Sequence, residues 1–530
     1  MPAMNPASSI RFSTWMSLAV VSLCPVLHAD VKLPGVFSDH MVLQRDQSLT
    51  FWGWADEGEM VTIEFQGQKA TATAFRQLPN PLSRWQVKLG PFKVSTTPAS
   101  LIVQGKNRVE RKDVLVGDVW ICSGQSNMEF PLARSADAEK ELPVASLPLV
   151  RLFTVPRTKA AEPVGDVRAT WQECRTPGSF SAVGYYFGRD LQKALGVPIG
   201  LIGTYYGGTP AEAWATRNTM NNHPDLRRDF SERIDKLRND YAGAVQKFNA
   251  DAEELKKKGK RPTAPPPKAP VIPAWQGSEL YNGMVAPLVP YGLRGVIWYQ
   301  GESNADRAAQ YNVLFPELIK GWRAAWELGD FPFLAVQLAP FDKGRNRPVE
   351  QIMATPEDSD WARLREVQLQ TGKAVPNYAC VVTTDVGDKD DIHPNRKEPV
   401  GARLALAARA LTYGEKLVAT GPTFKEQIIQ GEKVLLRFDS VGTGLVARGD
   451  KLTGFAICGE DKQFVWADAQ IQADNTVLVS ASTVKKPVAV RYGWADFPVV
   501  NLFNKEGLPA SPFRTDNFPP PPPLPVKAKK

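Results

Sequence analysis

Histidine is the scarcest functional side chain in this sequence: four in 530 residues, at His28, His40, His223 and His393. Chemistry that needs an imidazole base therefore has few places to occur. Cysteine is nearly as rare, and its five residues are too widely spaced to read as the disulfide framework of a small secreted domain. Long apolar runs are missing too. Beyond residue 29 none approaches the roughly 20 residues that a membrane-spanning helix needs, so no membrane span is expected. No sign of charge dominates: the formal net charge is +8, with lysine and arginine interspersed among acids. A basic stripe interleaved with aromatics, the footprint of nucleic-acid binders, is absent, and no nucleic-acid partner is expected. No internal repeat is found. With 43% hydrophobic and 23% charged residues, the composition is ordinary for a globular protein and excludes wholesale disorder.

What is present begins with a leader. Residues 1–29 read as a secretory signal peptide: Arg11 gives a positive start, 15–27 (WMSLAVVSLCPVL) a short apolar stretch and 27–29 (LHA) a cleavage site. A secreted or periplasmic location is therefore expected. Leu23-Cys24 lacks the small residue that precedes a lipoprotein cysteine, so no lipid anchor is expected. Cleavage would leave Cys122, Cys174, Cys380 and Cys458, of which Cys122 and Cys380 sit in apolar runs and read as packed thiols.

From 30 to 112, short alternating or apolar stretches (49–54, 60–65, 85–89, 101–104) stand between Gly, Pro and Asp clusters, the pattern of an N-terminal all-β module. From 113 to 412 the rhythm changes. Apolar strands are predicted at 114–122, 150–155, 198–206, 295–300, 333–338 and 378–385, with helical-period segments at 182–195, 308–328, 361–371 and 400–411. Strands alternating with helices predict an α/β domain whose parallel sheet is covered on both faces. Sites in such sheets lie beyond the carboxyl ends of the strands. Ser126, Gly207, Gly301 and the stretch 388–393 each follow a predicted strand, so their convergence on one rim is expected.

One insertion, about 215–275, interrupts the alternation. Leu226, Phe230, Ile234, Leu237, Tyr241, Val245, Phe248 and Leu255 mark an amphipathic helix that the proline-rich run 261–273 ends. It reads as packing on the sheet or as a lid, in preference to a partner-binding helix. Strands return over 413–517, and 518–530 is an extended proline- and lysine-rich tail.

The stretch 124–128 (GQSNM) ends the run 114–122 (VLVGDVWIC) in a sharp turn with a hydroxyl at its tip. That placement suits a nucleophilic serine, Ser126, with backbone N–H groups beside it to hold an oxyanion. It equally describes a strand-to-helix turn with Ser126 as N-cap. A serine nucleophile needs an imidazole base held by a carboxylate. His40 lies in the β module and His223 at the mouth of the charged helix, whereas His393 follows a strand amid the carboxylates of 385–395 (DVGDKDDIHPN). That loop also reads as a solvated acidic turn, or as a metal site of Asp385, Asp388, Asp390, Asp391 and His393. One histidine and no calcium-loop spacing fit a metal poorly. Two other strand ends, 205–210 (YYGGTP) and 298–304 (WYQGESN), offer a glycine N–H and side-chain amides as donors, though each alone reads as a turn.

Taken together, GDVWICSGQSNM (117–128), TYYGGTPAEAW (204–214), WYQGESNAD (298–306) and DIHPNRK (391–397) resemble the sialate O-acetylesterase family, a branch of the SGNH hydrolases. FSDHMVLQRD (37–46) and NLFNKEGLPASPFRTDNF (501–518) extend the resemblance over nearly the whole chain after the leader. It implies an SGNH-type three-layer α/β/α domain with a parallel sheet, flanked by N- and C-terminal all-β regions. It implies a bacterial, secreted serine esterase that removes O-acetyl groups from sugars through an acyl-enzyme, with no metal or organic cofactor. Ser126 would be the nucleophile and His393 the general base. The oxyanion hole would be the Ser126 N–H, the Gly207 N–H and a side-chain amide, Gln300 in preference to Asn304, because Gln300-Gly301-Glu302 replaces the usual asparagine block. The orienting acid would be Asp391, in the shared Asp-Ile-His-Pro string, with Asp390 as the alternative three residues before the histidine. The nucleophile lacks the Gly-x-Ser-x-Gly elbow of α/β-hydrolases.

The implied substrate is an O-acetylated carbohydrate: sialic acid, or the xylan, xyloglucan or pectin of plant walls. A sialate carboxylate would need a cation, for which Arg363 and Arg365 are candidates. Two other readings are a non-catalytic carbohydrate-binding protein and an SGNH lipase or thioesterase. Intact Ser126 and His393 argue against the first, and the lack of an apolar acyl channel against the second.

Overall fold

A computed structural model describes residues 30–76, 83–261 and 264–519. The expected leader at 1–29 and most of the expected tail, from 520 on, lie outside these residues. The organising element is a 17-residue strand, β1 (Arg108–Gly124), buried throughout from Val114 onward. Its run of valine, leucine, isoleucine and tryptophan favours a pleated, fully covered strand. Six more strands complete the α/β region: β2 (Leu147–Thr154), β3 (Gln172–Cys174), β4 (Ile199–Tyr205), β5 (Gly295–Tyr299), β6 (Phe333–Val336) and β7 (Tyr378–Val381). They lie in the order β3-β2-β4-β1-β5-β6-β7. Neighbours are parallel except β3, which runs antiparallel to β2 at the edge.

The expected parallel sheet is therefore the core of a larger mixed one. The first half of β1 pairs antiparallel with Ser95–Gln104 and parallel with Val42–Gln44, while its second half pairs with β4 and β5. The passage from β module to α/β region, expected at residue 113, thus falls inside one continuous strand. The charged stretch 108–112 (RVERK) disguises this: it alternates on a sheet face that is only partly covered.

Side chains along the strands alternate between faces, as the two-residue period of extended chain dictates. Ile121, Val296, Trp298, Phe333 and Ala335 enter one core; Trp120, Cys122, Ile297, Tyr299, Leu334 and Val336 enter another. Besides the short α1 (Ser126–Glu129), the main helices are α2 (Ala182–Leu195), α3 (Arg233–Lys257), α4 (Ala308–Trp326), α5 (Asp360–Gln370) and α6 (Glu398–Leu411). Apolar side chains of α4 and α5 fill the first core, and those of α2 and α6 the second. Helices therefore cover both faces of the sheet. Strands at 423–514 build further all-β sheets around a third core.

Trp298 holds the first core together, its ring centre 6.1 Å from each of those of Trp214, Phe315, Trp322 and Phe333. Trp298→Ala is expected to lower unfolding free energy by about 3–5 kcal/mol, read from urea denaturation; a loss under about 1 kcal/mol would show that this core closes around the gap. The four described cysteines are free thiols, Cys122, Cys174 and Cys458 buried and Cys380 partly so.

The insertion meets the expectation of packing on the sheet in part: Met220 and Leu226 lie in the first core, with Phe230 packed against it. Of its apolar series, Leu226 and Ile234 are buried, while Leu237, Tyr241, Val245, Phe248 and Leu255 form a stripe one residue wide that stays half exposed. No residue of α3 belongs to either core flanking the sheet. No described helix is long and apolar enough to cross a membrane.

Candidate active site

β1 ends at Gly124, where φ is +132°. A Cβ there would sit 2.1 Å from the Tyr299 carbonyl oxygen at the end of β5, so the strand can close on its neighbour only with glycine. The Gln125 N–H donates to that same carbonyl at 2.9 Å, and the chain turns at once into α1. Ser126, the first residue of α1, is half-buried. At that position a backbone N–H has no acceptor within the helix.

The other predicted strand ends do meet this turn. Gly207 follows β4, and a Cβ on it would lie 3.3 Å from Ser126 Cβ. The Gly301 N–H, beyond β5, donates to Gln125 Oε1 at 3.4 Å. Beyond β7 the loop carrying His393 arrives, and Asn127 Nδ2 donates to the Ile392 carbonyl at 3.0 Å. The residue after the serine is thus bonded to the residue before the histidine. Ser126 and His393 line one cavity of about 630 Å³, together with Glu129, Phe130, Arg134 and Arg157.

Of the two candidate acids, the structure brings Asp391 to His393. Asp391 Oδ1 accepts the His393 backbone N–H at 2.8 Å and lies 3.6 Å from its Nδ1. Asp390 turns to Lys389 instead. The acids of this loop do not converge, since Asp385 is held by Arg403 at 2.7 Å. Burial holds the His393 pKa below the ordinary 6.5; Asp391 pulls it up, and the cations Lys397 and Arg134 push it down.

The candidate oxyanion amides are elsewhere. Gln300 and Asn304 are buried and do not line the cavity. Gln300 Nε2 donates to the Thr209 carbonyl (3.2 Å) and to Asn304 Oδ1 (2.7 Å), while Gln300 Oε1 accepts from the Tyr311 hydroxyl (3.1 Å). Asn304 Nδ2 donates to Glu212 at 2.9 Å and its Oδ1 also accepts the Ala211 N–H at 2.9 Å. Both carboxamides tie the 209–212 loop to the end of β5, because buried polar groups must find partners where they lie.

Gly207 is beside Ser126, but its N–H donates to Glu129 Oε2 at 2.8 Å. The other Glu129 oxygen pairs with Arg157, which lies over the Tyr206 ring, 5.1 Å from its centre. The candidate substrate cations are also misplaced. Arg365 is fully buried and donates to the carbonyls of Leu338, Ala339, Ala495 and Asp496; Arg363 pairs with Asp358 and Asp360. The arginines at the cavity are Arg134 and Arg157, which sequence reading missed. The nearness of Arg134 to 124–128 in sequence was the one available signal.

Comparison with known proteins places the chain in a family. The profile of a family described as "Carbohydrate esterase, sialic acid-specific acetylesterase" matches residues 269–410, which hold β5 to β7 and the His393 loop. Sialate O-acetylesterase of Rattus norvegicus is 32% identical, the alignment covering 91% of this chain and 94% of that protein. Its counterpart in Homo sapiens is 30% identical over 91% of this chain and 92% of that protein. The crystal structure of a carbohydrate acetylesterase from Xanthomonas citri matches with a TM-score of 0.76 and 37% identity, covering 92% of this chain and 100% of that one. Likeness of this extent leaves no large segment of the described chain unmatched: the chain belongs to the sialate O-acetylesterase family and is a carboxylic ester hydrolase.

Proposed function

We propose that this protein is an SGNH-type serine esterase that removes O-acetyl groups from sugars, with Ser126 as nucleophile and His393 as general base. The observation that carries the reading is that Ser126 and His393, from opposite ends of the α/β region, line one cavity at the carboxyl rim of a parallel sheet. His393 takes the Ser126 proton, the alkoxide attacks the acetyl carbonyl, and the tetrahedral oxyanion is held by the Ser126 and Gly207 N–H groups. Collapse of that intermediate breaks the ester C–O bond, and His393 passes the proton to the departing sugar hydroxyl; a water deprotonated by His393 then attacks the acyl-Ser126 and releases acetate and the free serine. The Gly207 N–H already holds a charged oxygen, that of Glu129, so an acetyl carbonyl enters this position only as Glu129 gives way. Gln300 and Asn304 serve the hole indirectly, by fixing the loop that follows Gly207.

Asp391 is the orienting acid. Asp391→Asn is expected to lower kcat/KM about 10-fold or more, while Asp390→Asn stays within about 2-fold; the reverse order, measured with p-nitrophenyl acetate, would reassign the role. The acid limb of the kcat/KM profile is expected to have its midpoint below 6.5, because burial and neighbouring cations favour neutral His393. Removing the Asp391 anion moves that midpoint lower still.

The relatives' names point to acetylated sugars as substrates. The test is acetate release from a panel of O-acetylated sialosides and acetylated plant-wall oligosaccharides, with p-nitrophenyl acetate as reference. Release from at least one sugar class is expected. No acetate from any of them, or faster turnover of p-nitrophenyl octanoate than of the acetate, would overturn the reading.

A further inference from the structure

Next to Ser126, and not part of the cavity lining, lies a buried charge network that the reaction above does not use. Asn127 is fully buried, and its carboxamide bonds to three segments of the chain. Its Oδ1 accepts from Lys397 Nζ at 2.5 Å; its Nδ2 donates to Glu302 Oε1 at 2.5 Å and to the Ile392 carbonyl at 3.0 Å. Lys397 is 1% exposed, its ammonium 4.8 Å from the ring centre of Phe130 and 5.4 Å from that of Tyr299. The second Glu302 oxygen, Oε2, is buried without a hydrogen-bond partner.

Burying an ammonium and a carboxylate joined only through an amide is unfavourable as a stabilising device, since each loses its hydration. The geometry gives the arrangement a purpose. An ammonium is a donor only, so Lys397 dictates which end of the Asn127 carboxamide faces it. The amide nitrogen is thereby turned to the Ile392 carbonyl. Lys397 itself is the residue before α6, where its carbonyl accepts the Gly401 N–H at 3.1 Å, and α6 is packed in the second core, so the network is anchored on a rigid element.

We propose that Lys397 and Asn127 are positioning residues: Lys397 orients the Asn127 carboxamide, which fixes the His393 loop against the Ser126 turn. The proposal rests on the reading of Ser126 and His393 as nucleophile and base. The charged groups that act on His393 are Asp391 from its own loop, Arg134 from the turn after α1, and Lys397; those acting on Lys397 are Glu302 and Asp391. Glu129 and Arg157, also at the cavity, neutralise each other. Arg134 is exposed and screened by solvent, whereas Lys397 acts through low dielectric. Burial lowers the Lys397 pKa to about 7, so the ammonium is mostly charged over the pH range in which His393 titrates.

The test is the pH profile of kcat and kcat/KM for p-nitrophenyl acetate in the wild type, Lys397→Met and Glu302→Gln. Lys397→Met removes the cation and is expected to move the acid limb to higher pH and to lower kcat about 10-fold or more with KM nearly unchanged. Glu302→Gln keeps the shape and an acceptor for Asn127. By removing the anion that keeps Lys397 charged, it moves the limb the same way without opening a gap. If Lys397→Met does not fold, Glu302→Gln carries the pH test alone. An acid limb that superimposes on the wild type in the folded variants overturns the proposal, as does a uniform loss at every pH. Ser126→Ala run alongside separates the two levels: if it retains wild-type turnover, the nucleophile assignment has failed rather than the network.

Discussion

Ser126→Ala is expected to lower kcat/KM for p-nitrophenyl acetate about 10⁴-fold or more while leaving thermal stability unchanged. The side chain is half-buried at the wall of the cavity, belongs to no hydrophobic core, and its loss opens no packed space. His393→Ala is expected to cost a similar factor, because an unactivated hydroxyl is a weak nucleophile. The more informative prediction concerns the pair. Residues that act as one unit are strongly non-additive, so the double variant should be no slower than the worse single one. Losses that multiplied would mean that serine and histidine contribute independently, for example one to binding and one to a different step.

Gly124→Ala is expected to lose about 3 kcal/mol or more of stability, combining a strained positive φ with a clash against backbone. Turnover should fall about 100-fold or more as well, since a displacement of about 1 Å at a nucleophile has that effect. Both follow from one contact: the added Cβ would meet the Tyr299 carbonyl that also accepts the Gln125 N–H, one residue before Ser126. Gly208→Ala is the control. Its φ is +72° but nothing lies within 4 Å of the added Cβ, so only the backbone strain, about 1 kcal/mol, is expected. Wild-type stability and turnover in Gly124→Ala would show that the strand end is not what aims the serine.

Much of this frame was legible because it rests on local periodicity. The strand ends preceding Ser126, Gly207, Gly301 and the His393 loop follow from apolar runs, and α2 spans 182–195 as its pattern predicts. Choosing His393 over His40 followed from sequence context; His393 lines the cavity that Ser126 lines, and His40 does not. What stayed hidden depends on which way a side chain turns once the chain is packed. A carboxamide after a strand can face a cavity or a neighbouring loop; Gln300 and Asn304 face the loop. Arg363 and Arg365, two apart on one helix, point to different surroundings, the first to acids near the surface and the second into backbone carbonyls. Arg396 and Lys397 look alike in sequence, yet one is exposed and bonded to the Asp385 carbonyl while the other is buried beside Asn127.

Reaction with a small fluorophosphonate, followed by peptide mapping, tests the nucleophile directly. Complete inactivation is expected, with one phosphonyl group per chain, attached to Ser126 and absent from the Ser126→Ala variant. A label on any other residue with turnover abolished, or full turnover in protein labelled at Ser126, would contradict the assignment.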